Sequence, residues 1–386
     1  MKKPKQIGLL VDASRAYGRG ICRGVATFAE TREDWLILAH ERPELDELPG
    51  WLKKARLDGL IAYIPNRRMH EKIAALDIPV VDVHGRCRNP RIPVIESDDA
   101  AIVRLAFAFF RQSGFQHLAY CGYPGIFFSD QREEAVRLEA QALGDVHLYA
   151  PSKHKRVGAD LYQFEKGGAA HEPDLARWLK ALPKPVALLA CNDIRGQQVI
   201  NACREVGIRV PEEAAVLGVD NDELLCRLCR PTLSSIEPDV EQIGVLAARL
   251  IADLIDGKPV APRHRVPPRQ VVQRQSTDTV VADHPAVVQA ARLIRDRGYR
   301  EASVEQICEK MGLSRSTLDR LFQAHLGRSI AGEIARIRLQ RSQNLLRHSE
   351  QTVAEIAQAC GFPSATYFCR FFKRETAQTP NAYRKA

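Results

Sequence analysis

The sequence lacks the motifs by which most enzymes and membrane proteins are recognised. It contains no G-x-G-x-x-G, G-x-x-x-x-G-K-[ST], H-E-x-x-H or G-x-S-x-G pattern, so nucleotide, zinc-protease and serine-hydrolase chemistry are not indicated. No apolar run approaches the ~20 residues of a membrane-spanning helix, and aromatic residues make up only 6% of the chain. We therefore expect a protein that is not an enzyme, needs no cofactor or metal, and does not enter a membrane.

The ten cysteines indicate neither disulfides nor a metal centre. Most lie within apolar runs, as Cys121 and Cys191 do, which suits reduced core thiols and predicts a cytoplasmic protein. Cys226 and Cys229 form one C-x-x-C pair with no second pair or nearby His to complete a site. The opening MKKPKQIGLLVDAS lacks the hydrophobic region of a signal peptide, so we interpret it as leading into a first strand.

The C-terminal part carries one pattern twice, in SVEQICEKMG-LSRSTLDRLFQ and TVAEIAQACG-FPSATYFCRFFK. The positions that keep step are Val304, Ile307, Gly312, Leu318, Arg320 and Phe322, which recur as Val353, Ile356, Gly361, Phe368, Arg370 and Phe372. Each copy begins with a capping box and has a glycine after the first apolar helical face, which predicts helix-turn-helix. A helical bundle with a solvated charged face would explain one copy alone, but two copies in register favour DNA binding.

Basic charge is concentrated in the same region. From Asp283 onward there are 17 Lys+Arg and 10 Asp+Glu, whereas the whole chain carries a net charge of +9. The C-terminal part therefore holds most of the excess, as a surface that contacts DNA phosphates would.

The closing stretch FPSATYFCRFFKRETAQTPNAYRK resembles the signature of the AraC family of transcription regulators. This resemblance implies two helix-turn-helix units joined by a long helix, here Ile330–Leu346, that bind about 10 bp apart in successive major grooves. The residues that it assigns to DNA are Arg315, Ser316, Asp319 and Arg320 in the first unit, and Ala365, Thr366, Cys369 and Arg370 in the second. Arg320 and Arg370 can read guanine bidentately; a phosphate contact or an internal salt bridge is the alternative for each.

Residues 6–278 alternate short apolar strands with amphipathic helices, which predicts an α/β fold with parallel sheets in two lobes. The predicted strands are Ile7–Val11, Leu36–Ala39, Gly59–Ile64, Val80–Val83, Leu118–Cys121, Val186–Cys191 and Val216–Val219. In such folds a ligand lies beyond the carboxyl ends of the strands.

Segments such as PVALLACND and GIRVPEEAAVLGVDNDEL are similar to the sugar-binding domain of lactose- and galactose-type (LacI) repressors, which has a periplasmic-binding-protein-like fold. The resemblance implies an N-lobe of roughly 6–120 plus a last strand near Arg265–Ser276, a C-lobe between them, and a sugar in the cleft. The whole chain, with LLVDASRAYGRGICRGVATFA at its start, resembles the xylose-responsive regulators of enteric bacteria, which implies D-xylose as the effector and activation of transcription.

A monosaccharide site needs carboxylates, amides and guanidinium groups around the hydroxyls and an aromatic ring against the apolar face. The candidates are Ser14, Tyr17, Arg19, Phe127, Phe128, Arg132, Asp193, Asp220 and Asn221. We expect Arg132 to donate bidentately, Asp193 and Asp220 to accept, and Phe127 or Phe128 to stack, with Phe128 the better aligned of the two. Helix capping is the alternative for Asp193, and ordinary packing is the alternative for Tyr17 and Phe127. Paired acid–base catalysis by Asp193 and Asp220 is disfavoured because no nucleophile or metal motif accompanies them.

We expect three segments: a sugar-binding domain over 1–278, a linker over 279–284 and a DNA-binding domain over 285–386. The predicted partners are direct repeats of operator DNA, a sugar, a second copy of the chain in a homodimer and, for an activator, RNA polymerase. A different monosaccharide effector, or a C-terminal domain that is not promoter-specific, is the alternative.

Overall fold

The computed structural model describes residues 4–40, 47–52, 54–86, 89–151, 172–279, 284–296, 303–349 and 351–385. The chain divides into two compact units, Met1–Asp278 and Thr279–Ala386. Of the predicted linker 279–284, residues 280–283 lie outside the described residues.

The described part of the first unit contains two six-stranded sheets. The strands of the first sheet are β1 (Lys5–Leu10), β2 (Trp35–His40), β3 (Gly59–Ala62), β4 (Val80–Asp82), β5 (Val94–Ser97) and β11 (Arg263–Val266). Their order is β11-β5-β4-β3-β1-β2, and every neighbouring pair is parallel. β3 and β4 are central, and all their residues are buried, as covered parallel strands require.

The second sheet has the order β12-β10-β9-β8-β6-β7. Its strands are β6 (His117–Cys121), β7 (Val146–Leu148), β8 (Val186–Ala190), β9 (Ala214–Val219), β10 (Ser234–Pro238) and β12 (Pro268–Val272). Only β12 runs antiparallel to its neighbour. The prediction of an α/β fold with parallel sheets in two lobes is confirmed, and all seven predicted strands are present.

Helices cover both sheets. They are α1 (Ala16–Ala29), α2 (Arg67–Ala74), α3 (Asp99–Gln112), α4 (Phe127–Leu143), α5 (Pro173–Ala181), α6 (Asp193–Glu205), α7 (Glu223–Leu228) and α8 (Val240–Ile255). α1 and α8 pack on each other, and α8 also lies on the first sheet, whereas α3 packs on α4 and against β12 of the second sheet. The first sheet with α1, α2 and α8 is the N-lobe, and the second sheet with the remaining helices is the C-lobe.

The predicted lobe boundary is wrong. Strand β6, which the prediction placed in the N-lobe, belongs to the second sheet, and so does β12, which takes up much of the predicted last N-lobe strand. The chain passes between the lobes three times: from β5 to α3, from β10 to α8, and from β11 to β12. Asp98 and Asp239 stand at the first two crossovers and cap α3 and α8, accepting hydrogen bonds from Ala101 N and Gln242 N.

α1 and α8 approach each other so closely that only glycine fits at the contact. A Cβ on Gly24 would lie 2.0 Å from the carbonyl oxygen of Glu241, and one on Gly244 would lie 2.1 Å from the carbonyl oxygen of Ile21. The side chains Ile21 and Val25 of α1 and Ile243 of α8 are then buried beside this contact in the N-lobe core.

The described part of the second unit is helical: α9 (Pro285–Asp296), α10 (Val304–Met311), α11 (Arg315–Leu326), α12 (Ile330–His348), α13 (Val353–Ala359), α14 (Ala365–Thr376) and α15 (Pro380–Lys385). Both predicted capping boxes are present, with Ser303 and Gln306 at one and Thr352 and Glu355 at the other. Gly312 adopts the left-handed conformation at φ 62° and Gly361 has φ 75°, so both turns need glycine.

Each helix-turn-helix has its own core, and the long helix α12 joins them. Leu318 and Phe322 are fully buried with Ile307, Ile334 and Ile337 in the first core. The second core contains Phe368 and Phe372 together with residues from the later part of α12, such as Leu346. The predicted double helix-turn-helix is therefore confirmed.

Candidate functional site

The cleft of the first unit is formed where strand ends of the two lobes meet. Tyr17, at the start of α1 in the N-lobe, shares a hydrogen bond of 3.0 Å between its hydroxyl and that of Ser97. Burial raises the pKa of Tyr17 far above its ordinary value, and the carboxylates of Asp220 and Asp99 add to this effect. Since Asp220 follows β9 of the C-lobe, the predicted residues Tyr17 and Asp220 face a common space.

Arg132, on α4, is buried at the C-lobe side of this space. Its Nε and Nη2 donate to one carboxylate oxygen of Asp99, at 2.8 and 2.7 Å, and its Nη1 donates to the carbonyl oxygen of Cys191. Burial alone would lower the pKa of Arg132, but the Asp99 carboxylate outweighs it and holds the pKa above its ordinary value. The guanidinium is therefore charged, fixed in orientation, and close to Asp220.

Aromatic rings line the cleft from both lobes. Tyr63 and His84 of the N-lobe stack with ring centroids 4.1 Å apart, and Phe127 of the C-lobe meets the edge of His84 at 5.4 Å. Burial lowers the pKa of His84 to about 3, helped by Arg86, so the imidazole is neutral at neutral pH. Phe128 instead lies against Arg132, whose guanidinium carbon is 5.8 Å from the centroid of the Phe128 ring. Phe127 is thus the C-lobe ring that contacts an aromatic ring of the N-lobe across the cleft.

Asp193 is hydrogen-bonded within the C-lobe, and it does not cap its helix, which was the alternative to a sugar contact. Helix α6 is capped by Asn192, whose side chain accepts from Arg195 N. The two oxygens of Asp193 accept from the Ser235 hydroxyl at 2.5 Å and from the backbone N–H of Asp222 at 2.7 Å. Burial raises the pKa of Asp193 to about 7, although these hydrogen bonds act to lower it. Asp193 therefore fixes the loop that follows β9 and carries Asp220.

This loop is held in an unusual conformation. Asp220 and Asn221 have positive φ values of 111° and 49°, which cost free energy in non-glycine residues and are typical of functional sites. The side-chain oxygen of Asn221 accepts from Arg274 at 2.7 Å, and its backbone N–H donates to the Ser235 hydroxyl. Asn221 thus anchors the turn, and Asp220 is presented by it.

The remaining predicted residues lie at the cleft edge. Ser14 is exposed, and its carbonyl oxygen accepts from Arg19 at 2.8 Å. Arg19 also forms an ion pair of 3.5 Å with Asp222 of the opposite lobe. This contact links the N-lobe and C-lobe outside the space that Tyr17 and Asp220 face.

Sequence reasoning missed three residues that the cleft uses. Tyr63 carries the stacked His84, Asp82 accepts hydrogen bonds from the backbone N–H groups of His84 and Gly85, and Asp99 holds Arg132. Tyr63 and Asp82 lie at strand ends, so the strand-end rule could have found both, whereas Asp99 follows a strand that the sequence did not predict.

In the second unit, three of the four predicted residues of the first recognition helix are oriented outward. Arg315, Ser316 and Arg320 are exposed, and Arg315 lies 3.7 Å from Asp319 in an i,i+4 pair. Asp319 differs, because its carboxylate accepts from the backbone N–H of Ile330 at 3.1 Å and so fixes the start of α12. Within the described residues Arg320 forms no ion pair.

The second recognition helix, α14, presents Thr366 and Arg370 to solvent, while Ala365 and Cys369 are half-buried. Ala365 packs on the second core, so its helical position is partly structural. Arg370 also lacks an ion pair among the residues that the structure covers. Tyr367, which is 53% exposed, was missed by the sequence interpretation, although an exposed aromatic ring beside Arg370 is suited to contact with DNA.

Across the described ranges no group of three or more His, Cys, Asp or Glu side chains is arranged to hold a metal ion. In the same residues none of the helices combines the length and the apolar character that crossing a membrane requires.

Comparison with known proteins agrees with this architecture. Three family descriptions match: "XylR N-terminal domain" over residues 6–99, "Periplasmic binding protein-like domain" over 107–277, and "Helix-turn-helix domain" over 307–386. The xylose operon regulatory protein of Escherichia coli K12 is 32% identical over 99% of this chain and 97% of its own length. That of Haemophilus influenzae is 29% identical over 98% of each.

Solved structures agree as well. The structure of the xylose-binding transcription activator XylR aligns with a TM-score of 0.69 and 30% identity over 100% of this chain and 98% of its own. A LacI family regulator from Enterococcus faecium with bound ribose aligns over 71% of this chain and 98% of its own, with a TM-score of 0.54 and 19% identity, which shows the shared fold of the first unit.

Proposed function

The chain belongs to the family of the xylose operon regulatory proteins and is therefore a sugar-responsive, DNA-binding transcription regulator, and we propose that D-xylose is the effector that its cleft binds. The observation that carries the proposal is that Tyr17 of the N-lobe and Arg132 of the C-lobe are hydrogen-bonded to Ser97 and Asp99, two residues apart at the first crossover, and that the Asp220 carboxylate acts electrostatically on both. A guanidinium that donates and a carboxylate that accepts suit the hydroxyls of a sugar, which do both.

Each part of the cleft has a proposed role. Arg132 donates to ring hydroxyls, Asp220 accepts from them, and Phe127 covers the apolar face of the pyranose. Tyr17 closes the site from the N-lobe. Asp193 and Asn221 act through the loop that carries Asp220, since their side chains are hydrogen-bonded within the C-lobe. Ser14 and Arg19 lie at the rim, where they bear on which sugars enter.

The DNA-binding unit has proposed roles too. Arg320 and Arg370 read guanine in two successive major grooves, Ser316 and Thr366 contact base edges or phosphates, and Cys369 meets a thymine methyl group. Arg315 contacts phosphate after leaving its exposed pair with Asp319, a pair of the kind that contributes little. Asp319 and Ala365 support the recognition helices on which these side chains stand.

Signal transfer requires a difference between two states. We propose that xylose stabilises the closed lobes of a homodimer in the cytoplasm, where both copies then bind direct repeats and contact RNA polymerase. The sugar must bind the DNA-competent state more tightly than the other, because equal affinity for both would shift neither population.

Calorimetric titration with D-xylose, L-arabinose, D-ribose and D-glucose tests the effector and the site. We expect saturable xylose binding, weakened about 10- to 100-fold in Asp220→Ala and in Arg132→Ala, because a hydrogen bond to a charged group contributes about 1.5–3 kcal/mol. Arg104→Ala is the matched control, since Arg104 is an exposed arginine of neighbouring α3 that pairs with Glu139 at 3.6 Å. Unchanged xylose affinity in Arg132→Ala would refute the proposed site, and binding of another sugar alone would refute the effector.

A further inference from the structure

The first crossover between the lobes contacts the cleft on both sides. Ser97, the last residue of β5, shares the hydrogen bond with the Tyr17 hydroxyl in the N-lobe. Asp99, the first residue of α3, binds the Arg132 guanidinium in the C-lobe. Asp98 between them caps α3, and its backbone N–H donates to the carbonyl oxygen of Val266 at the third crossover. Three consecutive residues thus connect two cleft side chains to the segment that joins the lobes.

We propose that Asp99 is a positioning residue of the effector site: from the crossover, it holds Arg132 in the orientation that donates to the sugar and so couples sugar binding to the angle between the lobes. This inference rests on the proposed role of Arg132 as a sugar contact.

The geometry explains why a carboxylate is needed at this place. One oxygen of Asp99 accepts from both Nε and Nη2 of Arg132, and the Cys191 carbonyl accepts from Nη1. These contacts fix the plane of the guanidinium and use three of its five N–H bonds, which leaves two for hydroxyls. The Arg132 side chain is only 6% exposed and that of Asp99 16%, so little water competes for this pair.

The position of Asp99 explains the coupling. A rotation of the C-lobe about the crossover moves the beginning of α3 relative to β5, and with it the carboxylate that orients Arg132. A sugar that binds Arg132 and Tyr17 at the same time therefore favours one conformation of residues 97–99. Arg19 and Asp222, 3.5 Å apart across the cleft, stabilise the approach of the lobes but do not touch the crossover.

Asp99→Asn tests the proposal, because it removes the charge and keeps the size. We expect xylose affinity, measured by calorimetry, to fall about tenfold, since the charge-assisted hydrogen bonds that Asp99 accepts from Arg132 are weakened. Asn66→Ala is the control. It removes the side-chain cap of α2 in the N-lobe, which accepts from Met69 N, and lowers the melting temperature, but it leaves the Arg132 contacts and residues 97–99 in place, so its xylose affinity stays within about twofold of the wild type.

A double-mutant cycle with Arg132→Lys separates positioning from general stability. Lysine keeps the charge but has no second nitrogen with which to donate to the same Asp99 oxygen. Asp99→Asn in that background should therefore change xylose affinity less than about threefold. An equal loss in both backgrounds, or a loss in Asn66→Ala as large as in Asp99→Asn, would overturn the inference. If Asp99→Asn does not fold, Asp99→Glu replaces it in the same cycle, with the same comparison deciding. Wild-type affinity in Arg132→Lys and Arg132→Ala would instead refute the proposed sugar contact itself.

Discussion

Arg320→Glu is expected to weaken operator binding about 100- to 1,000-fold while the xylose affinity of the cleft stays unchanged. Arg320 is exposed on the first recognition helix, and no carboxylate of the described residues pairs with it. Loss of one bidentate guanine contact costs about 1–3 kcal/mol, and a glutamate at the same place adds repulsion from the phosphates. Since each 1.4 kcal/mol is a factor of ten, the two effects together give the expected range.

Gel-shift titration at fixed salt and calorimetry with xylose measure the two sides of this prediction. Arg67→Glu is the matched control, because it makes the same charge change on a side chain of the sugar-binding unit that is 90% exposed. A footprint confined to one promoter, lost only in Arg320→Glu, would also exclude a C-terminal unit that binds DNA without specificity. Retained operator binding, or a loss of xylose affinity in this variant, would contradict the assignment of separate tasks to the two units.

The sequence predicted the DNA-binding unit well because its signals are local. A capping box spans four residues, and the glycine that follows the first helix of each copy is close to it in the sequence, Gly312 after Gln306 and Gly361 after Glu355. Apolar spacing then assigned Leu318 and Phe322 to the first core. What the sequence did not predict is the contact of Asp319, whose carboxylate accepts a hydrogen bond from the N–H of Ile330 across a loop that periodicity along one helix does not show.

The lobes were harder to predict because their boundaries depend on strand pairing. β5 and β11 are four residues each, and β11 is RHRV, with little apolar pattern. They become recognisable as strands only through their pairing, in which Arg265 lies beside Glu96. These residues are too far apart in the sequence for a local pattern to predict that they pair. Assigning β6 and β12 to the correct sheet needs the same information.

Within the cleft, the strand-end rule brought Tyr17, Arg132 and Asp220 together but could not assign their partners. Asp193 was predicted as a sugar acceptor because it follows a strand and carries a charge, and the structure adds that its carboxylate accepts a hydrogen bond from the hydroxyl of Ser235, 42 residues away in the same lobe. Asp99 was passed over because the strand before it was not predicted. Residue type and position therefore locate a site, whereas the division between residues that bind and residues that support depends on tertiary contacts.

Gly24→Ala is expected to destabilise the first unit by about 3 kcal/mol or more, although alanine ordinarily stabilises a helix by about 0.5–1 kcal/mol over glycine. The new Cβ would lie 2.0 Å from the Glu241 carbonyl oxygen and 2.8 Å from the Val245 nitrogen, and both are backbone atoms of α8 that cannot rotate away. The helices must separate, which opens the buried contact around Ile21 and Ile243.

Differential scanning calorimetry should show this as a fall of about 6–12 °C in the melting temperature of the sugar-binding unit. Gly332→Ala is the control, since its Cβ would have 3.4 Å to the nearest atom, the Ser329 hydroxyl, and lies in helix α12; it should leave stability unchanged or raise it. Because α8 begins at the second crossover, separating it from α1 should also weaken xylose binding through the lobe angle, with no change at any sugar contact. A Gly24→Ala protein that melts with the wild type would show that α1 and α8 do not meet this closely, and the N-lobe core would then have to be held by the sheet alone.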